Sequence, residues 1–143
     1  MRRRLIVAAV SIVVLLGGGL LLAARGGDDG ESTTANNTGL QAQTLSAGEI
    51  DIEVAPLQLD QGGAAFTITL DTHTTELSMD LNAAALDVGG SSWPVTGWDG
   101  DGPSGHHREG ELRFEAAGPA TGMARLVLAG FSEPVEMTWE LGT

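Results

Sequence analysis

The chain has 143 residues, with nineteen acidic side chains against seven arginines, no lysine and no cysteine, for a formal charge of −12. That length leaves room for one folded domain and excludes two independent cores. Without cysteine there is no disulfide framework, thiolate metal site, cysteine nucleophile or lipid-modified N-terminal cysteine, so an apolar core has to hold the fold.

Residues 1–4 are Met-Arg-Arg-Arg, and the run from Leu5 to Ala24 then carries no charge over twenty positions. At about 1.5 Å per residue in a helix, such a run spans roughly the 30 Å of a bilayer's hydrocarbon core. Arg2, Arg3 and Arg4 precede it and only Arg25 follows closely, which keeps residues 1–4 cytoplasmic and exports the rest. A transmembrane anchor is the expectation. A cleaved signal peptide is the alternative, disfavoured by the run's length and by Leu22 where a small residue is wanted.

Residues 25–48 are rich in Gly, Ser, Thr, Asn and Asp without an apolar period, and read as a flexible linker. All nineteen acids lie beyond residue 25, where only Arg108, Arg113 and Arg125 oppose them, so 3 − 19 leaves the exported part at −16. No basic stripe exists to displace counterions from a phosphate backbone, which excludes nucleic acid as a partner. The expected partners are the membrane, through the N-terminal helix, and a protein.

From Glu49 the apolar period becomes two, and residues 49–143 are expected to form the exported domain. Ile50, Ile52 and Val54 alternate with acids, as do Phe66, Ile68 and Leu70 with threonines and Asp71, and Leu77, Met79 and Leu81 with Ser78 and Asp80. The pattern returns at Trp93 and Val95, at Leu112, Phe114 and Ala116, at Ala124, Leu126 and Leu128, and at Val135, Met137, Trp139 and Leu141. Seven short strands separated by Gly- and Pro-containing breakers predict an all-β, antiparallel two-sheet sandwich of immunoglobulin-like architecture. Residues 82–88 fit either one helical turn crossing between sheets or an eighth short strand.

The three histidines fall in two places: His73 after the second expected strand, and His106 with His107 before the fifth. In an up-and-down path of seven strands those two loops share one end of the sandwich, whereas an eighth strand at residues 82–88 would part them. His73, His106 and His107 with Asp71 and Asp99 would then offer imidazole and carboxylate ligands without sulfur, a set suited to Zn(II), Cu(II) or Ni(II). The competing reading leaves His73 as a turn cap and His106 and His107 as one packed and one solvated side chain.

Other chemistry has less support. Asp99-Gly100-Asp101-Gly102 departs from the calcium-loop pattern at Pro103, Ser104 and Gly110. No Gly-x-Ser-x-Gly elbow is present to expose a nucleophile. Of the three tryptophans, Trp93 and Trp139 sit at inward positions, while Trp98, beside the glycine loop, is the candidate for an exposed sugar-binding platform.

The combination of Thr72-His73, Asp80-Leu81, Trp98, the run Gly105-His106-His107-Arg108-Glu109-Gly110-Glu111-Leu112-Arg113-Phe114 and Trp139 resembles a group of uncharacterised small prokaryotic exported domains with TH and GHHR-x-G-x-L-x-F motifs. The resemblance spans about residues 50 to 141. It implies that the two histidine motifs are a recurring pair, and it transfers no catalytic role to any position. The function expected is a membrane-tethered exported binding or interaction module, for a transition metal or a partner protein. A small metal-dependent enzyme and a purely structural surface domain are the alternatives.

Overall fold

A computed structural model describes residues 39–142. The cytoplasmic arginines, the apolar run 5–24 and the linker up to residue 38 lie outside the described residues. Among those described, no helix is long and apolar enough to cross a membrane.

Among the described residues nine strands form two antiparallel sheets. The first sheet orders β1 (Gln43–Ala47), β2 (Ile50–Asp60), β3 (Gly63–Thr72), β7 (His107–Phe114) and β6 (Val95–Gly100) as β1-β2-β3-β7-β6. The second orders β4 (Ala85–Val88), β5 (Ser91–Trp93), β8 (Gly122–Leu128) and β9 (Val135–Leu141) as β5-β4-β8-β9. The inward residues of both sheets share one core: Ile52, Val54, Phe66, Ile68, Leu70 and Leu112 meet Leu86, Leu126, Met137 and Trp139. Phe66 of β3 and Trp139 of β9 bring their ring centroids to 5.3 Å across the interface between sheets. The chain is therefore a β-sandwich, as its period of two predicts.

The strand assignments shift in four places. Gln43–Ala47, taken in the sequence as linker, pairs in full with β2, from Gln43 opposite Val54 to Ala47 opposite Ile50. As an edge strand it buries only Ala47 fully, so a mostly polar sequence suffices. Trp93 and Val95 belong to different sheets, because Pro94 breaks the ladder and the chain crosses over between β5 and β6. Residues 81–88 hold both alternatives, a 3-10 turn at Leu81–Ala83 and then β4.

The fourth shift matters most. Leu77, Met79 and Leu81 are buried with the expected alternation, yet residues 77–80 belong to neither sheet. The carbonyls of Leu77 and Met79 accept instead from the guanidinium of Arg108, at 3.4 and 2.8 Å, and the Leu77 N–H donates to the carbonyl of Gly105 at 2.9 Å. A side chain takes the place of a neighbouring strand.

Candidate functional site

The ends that carry the histidines do meet, though not by counting turns. β3 and β7 are direct antiparallel neighbours, so Asp71 lies opposite His107 and the Thr72 N–H donates to the His106 carbonyl at 2.9 Å. The strand β4 therefore does not separate the two motifs, because they pair directly.

Side-chain direction then divides the expected ligand set. Asp71 and His107 share the outer face, and His107 Nδ1 lies 2.6 Å from Asp71 Oδ1, with Glu109 at 3.9 Å from Nε2. The hydrogen bond that His107 donates to Asp71, then the charge of Asp71, raises the His107 pKa above the ordinary 6.5; Glu109 and Asp101 add to the rise and desolvation opposes it. His73 and His106 are exposed and make no side-chain hydrogen bond to a described residue. Asp99 pairs with Glu111, four residues along β7 from His107, a separation of roughly 13 Å along a strand. Among the described residues no three His, Asp or Glu side chains gather as a metal ion would need. The structure assembles two of the five expected ligands.

On the same outer face, β1, β2 and β3 form an open concavity of about 400 Å³ lined by Thr44, Ser46, Asp51, Glu53, Thr69 and Asp71. Asp51 stands directly opposite Asp71, a like-charge pair that the ladder alone disfavours. Each has a local partner: Ser46 Oγ donates to Asp51 at 2.6 Å, and His107 holds Asp71.

The inner face at this end is built differently. Arg108 is only 2% exposed, and no carboxylate of a described residue lies in ion-pair contact with it. Besides Leu77 and Met79 it serves the Asp101 carbonyl, from Nε at 3.2 Å and Nη2 at 3.1 Å. Burial lowers its pKa, and the Asp101 and Asp80 carboxylates nearby oppose that shift. Asp101 in turn fixes its own loop, accepting from the Glu109 N–H through Oδ2 at 3.0 Å.

Trp98 packs beside this arginine, with the guanidinium carbon 5.7 Å from the indole centroid. The indole also lies close over the facing pair Gly100 and Gly110, where added Cβ atoms would come within 2.8 and 2.6 Å of Trp98 Cζ2. Its Nε1 donates to the Asp101 carbonyl at 2.9 Å. Between this ring and the 77–82 segment lies a cleft of about 260 Å³, bounded by Met79, Leu81, Trp98, Pro103 and Arg108 together with the polar Ser78, Asp80 and Asn82.

The sequence located Trp98 but not its companions. The inward parity of Arg108, set by its even spacing from Leu112 and Phe114, was the available signal, and a charge at an inward position is one that must be satisfied internally. Trp93 and Trp139 are core residues, 1% and 4% exposed. No family model, curated protein or solved structure matches the chain.

Proposed function

We propose that this chain is an exported, membrane-tethered β-sandwich module that binds a ligand in the Trp98 cleft. The observation that carries the reading is the immobilised indole bordering that cleft. A ring already fixed against Gly100 and Gly110, with its N–H committed to Asp101, loses little conformational freedom when something stacks on it. The apolar run Leu5 to Ala24 behind three arginines supports the tether and the export. The two antiparallel sheets support an immunoglobulin-like arrangement. The resemblance to exported domains with paired TH and GHHR motifs fits the same reading: the motifs meet at the Thr72 to His106 backbone hydrogen bond, and Arg108 of the second motif holds the cleft wall.

The test is a titration of the full-length chain with small cyclic probes, indole and cyclohexanol, followed through the Trp98 indole N–H resonance. Saturable shifts at Trp98 that disappear in Trp98→Ala are the expected result. Probes that leave Trp98 unmoved would remove the reading. N-terminal sequencing of protein from the membrane fraction tests the tether, with Met1 or Arg2 expected and a start near Arg25 pointing to cleavage.

A further inference from the structure

We propose that the Trp98 cleft takes a neutral pyranose ring, the single sugar unit of a glycan or glycoside. This rests on the binding reading above and names the ligand class for the same site.

Size sets the first limit. At about 260 Å³ the cleft falls just under the roughly 300 to 1,000 Å³ of ordinary small-molecule pockets, which suits one six-membered ring and not a larger ligand.

The distribution of polar groups sets the second. Apolar lining comes from Met79 and Leu81 of the 77–82 segment and from Trp98 and Pro103 across the cleft. Trp98 offers only its π surface, since its one donor is already spent on Asp101. Polar lining comes from Ser78, Asp80 and Asn82, all exposed. Asp80 uses Oδ1 to accept the Asn82 N–H at 2.9 Å, leaving Oδ2 without a hydrogen bond to a described residue. The Ser78 hydroxyl and the Asn82 amide likewise make none. A hydroxyl, an amide and a carboxylate oxygen thus line the same cleft as an aromatic ring. A pyranose matches that division, with C–H groups on its face and hydroxyls around its edge. A purely aromatic ligand would desolvate the three polar groups without replacing their hydrogen bonds to water, which costs affinity.

Charge sets the third. The described residues carry sixteen carboxylates and three arginines, 3 − 16 = −13, so an anionic ligand approaches against the field and past Asp80. A cationic ligand gains from that field and from Asp80 but has to sit against the buried Arg108 guanidinium, itself a wall of the cleft. A neutral, hydroxyl-rich ring avoids both penalties.

The test adds the methyl glycosides of glucose, galactose, mannose and N-acetylglucosamine to the titration of the full-length chain, again read at the Trp98 indole N–H and at the Asn82 side-chain amide. At least one glycoside should saturate with a dissociation constant on the order of 1 mM, as expected for a ring of this size. Trp98→Ala should abolish the response. Asn82→Ala, a change at an exposed side chain, should weaken binding several-fold and keeps the test valid should the tryptophan variant misfold. Failure of all four glycosides overturns the inference, as does binding that is unchanged in both variants. If the glycosides fail while indole or cyclohexanol still binds through Trp98, the binding reading stands without the sugar; if nothing binds, both fall.

Discussion

Arg108 Nη1 donates to the carbonyl oxygen of Met79 at 2.8 Å, and the same guanidinium reaches Leu77 and Asp101. One side chain of β7 therefore replaces the strand that residues 77–80 would otherwise need beside them. The planar fork makes this possible, because its donors diverge toward carbonyls on two separate segments. The same contacts set the cleft, since Met79 and Arg108 are both walls of it.

Arg108→Met should accordingly cost about 2–4 kcal/mol. It removes a buried charge but leaves the Leu77 and Met79 carbonyls without their donor, while the Asp101 carbonyl keeps the Trp98 indole N–H, and an unsatisfied buried acceptor costs about 1–3 kcal/mol. Arg108→Lys should recover less than half of the loss, because an ammonium cannot span both segments. Urea denaturation of the three proteins measures this, and a methionine variant as stable as the parent would show that the carbonyls find water instead.

Gly110→Ala tests how Trp98 is seated. An added Cβ would lie 2.6 Å from the Asp99 carbonyl oxygen, from the Gly100 Cα and from Trp98 Cζ2. Two of those three atoms are backbone, so β6 and β7 must separate or the indole must tilt. Overpacking of this kind costs about 1–3 kcal/mol. The expected outcome is a lower denaturation midpoint together with an altered Trp98 emission. A normal midpoint with unchanged emission would mean that the strands shift at little cost.

Much of this was legible in the chain. Period-two alternation marked the inward residues correctly even at Leu77 and Met79, where no strand forms, because burial follows side-chain direction and not ladder hydrogen bonding. β1 escaped notice because an edge strand with one fully buried residue needs no apolar pattern. The division at Pro94 escaped because Trp93 and Val95 continue the same period across a change of sheet. The histidine motifs meet through the direct pairing of β3 with β7, which a count of strands does not reveal. The ligand set nonetheless came apart: sequence proximity does not fix which face a side chain takes, nor how far along the ladder Asp99 lies from His107.

The His107 and Asp71 pair makes stability depend on pH in a defined direction. The folded-state pKa of His107 is raised, chiefly by the hydrogen bond to Asp71 and then by its charge, so the folded state binds the proton more tightly than the unfolded chain. The contribution is fully present below the unfolded value of about 6.5 and is lost as pH rises through the higher folded value. The group is exposed, which keeps the effect small. Ring resonances of His107 should titrate above pH 6.5 in the parent protein and at lower pH in Asp71→Asn. Identical midpoints in the two proteins would exclude Asp71 as the cause.

Removing residues 39–48 should weaken the sandwich, even though they read as linker. A chain starting at Glu49 loses all of β1 and uncovers the edge of β2 from Ile50 to Val54. It also loses the Gln41 carbonyl that accepts from Trp139 and the Gln43 amide that donates to the Thr138 carbonyl at 2.6 Å. Chains beginning at Gly39 and at Glu49 should both give β-type circular dichroism, the shorter one with a lower urea midpoint. Equal midpoints would show that β1 contributes nothing.

The two buried tryptophans provide the closing comparison. Trp93 is 1% exposed, and its Nε1 finds no acceptor among the described residues. Trp139 is 4% exposed and donates to the Gln41 carbonyl at 2.8 Å. Replacing either with phenylalanine removes similar volume and leaves a similar cavity, so the packing loss is common to both. The polar term differs in sign. Trp93→Phe removes a donor that is desolvated without compensation, whereas Trp139→Phe breaks a satisfied hydrogen bond to the carbonyl of Gln41, an exposed residue that water can reach. Trp93→Phe should therefore be the milder change by about 1–3 kcal/mol in urea denaturation. A larger loss at Trp93 would indicate that its N–H is satisfied in solution, by a buried water or by residues outside 39–142.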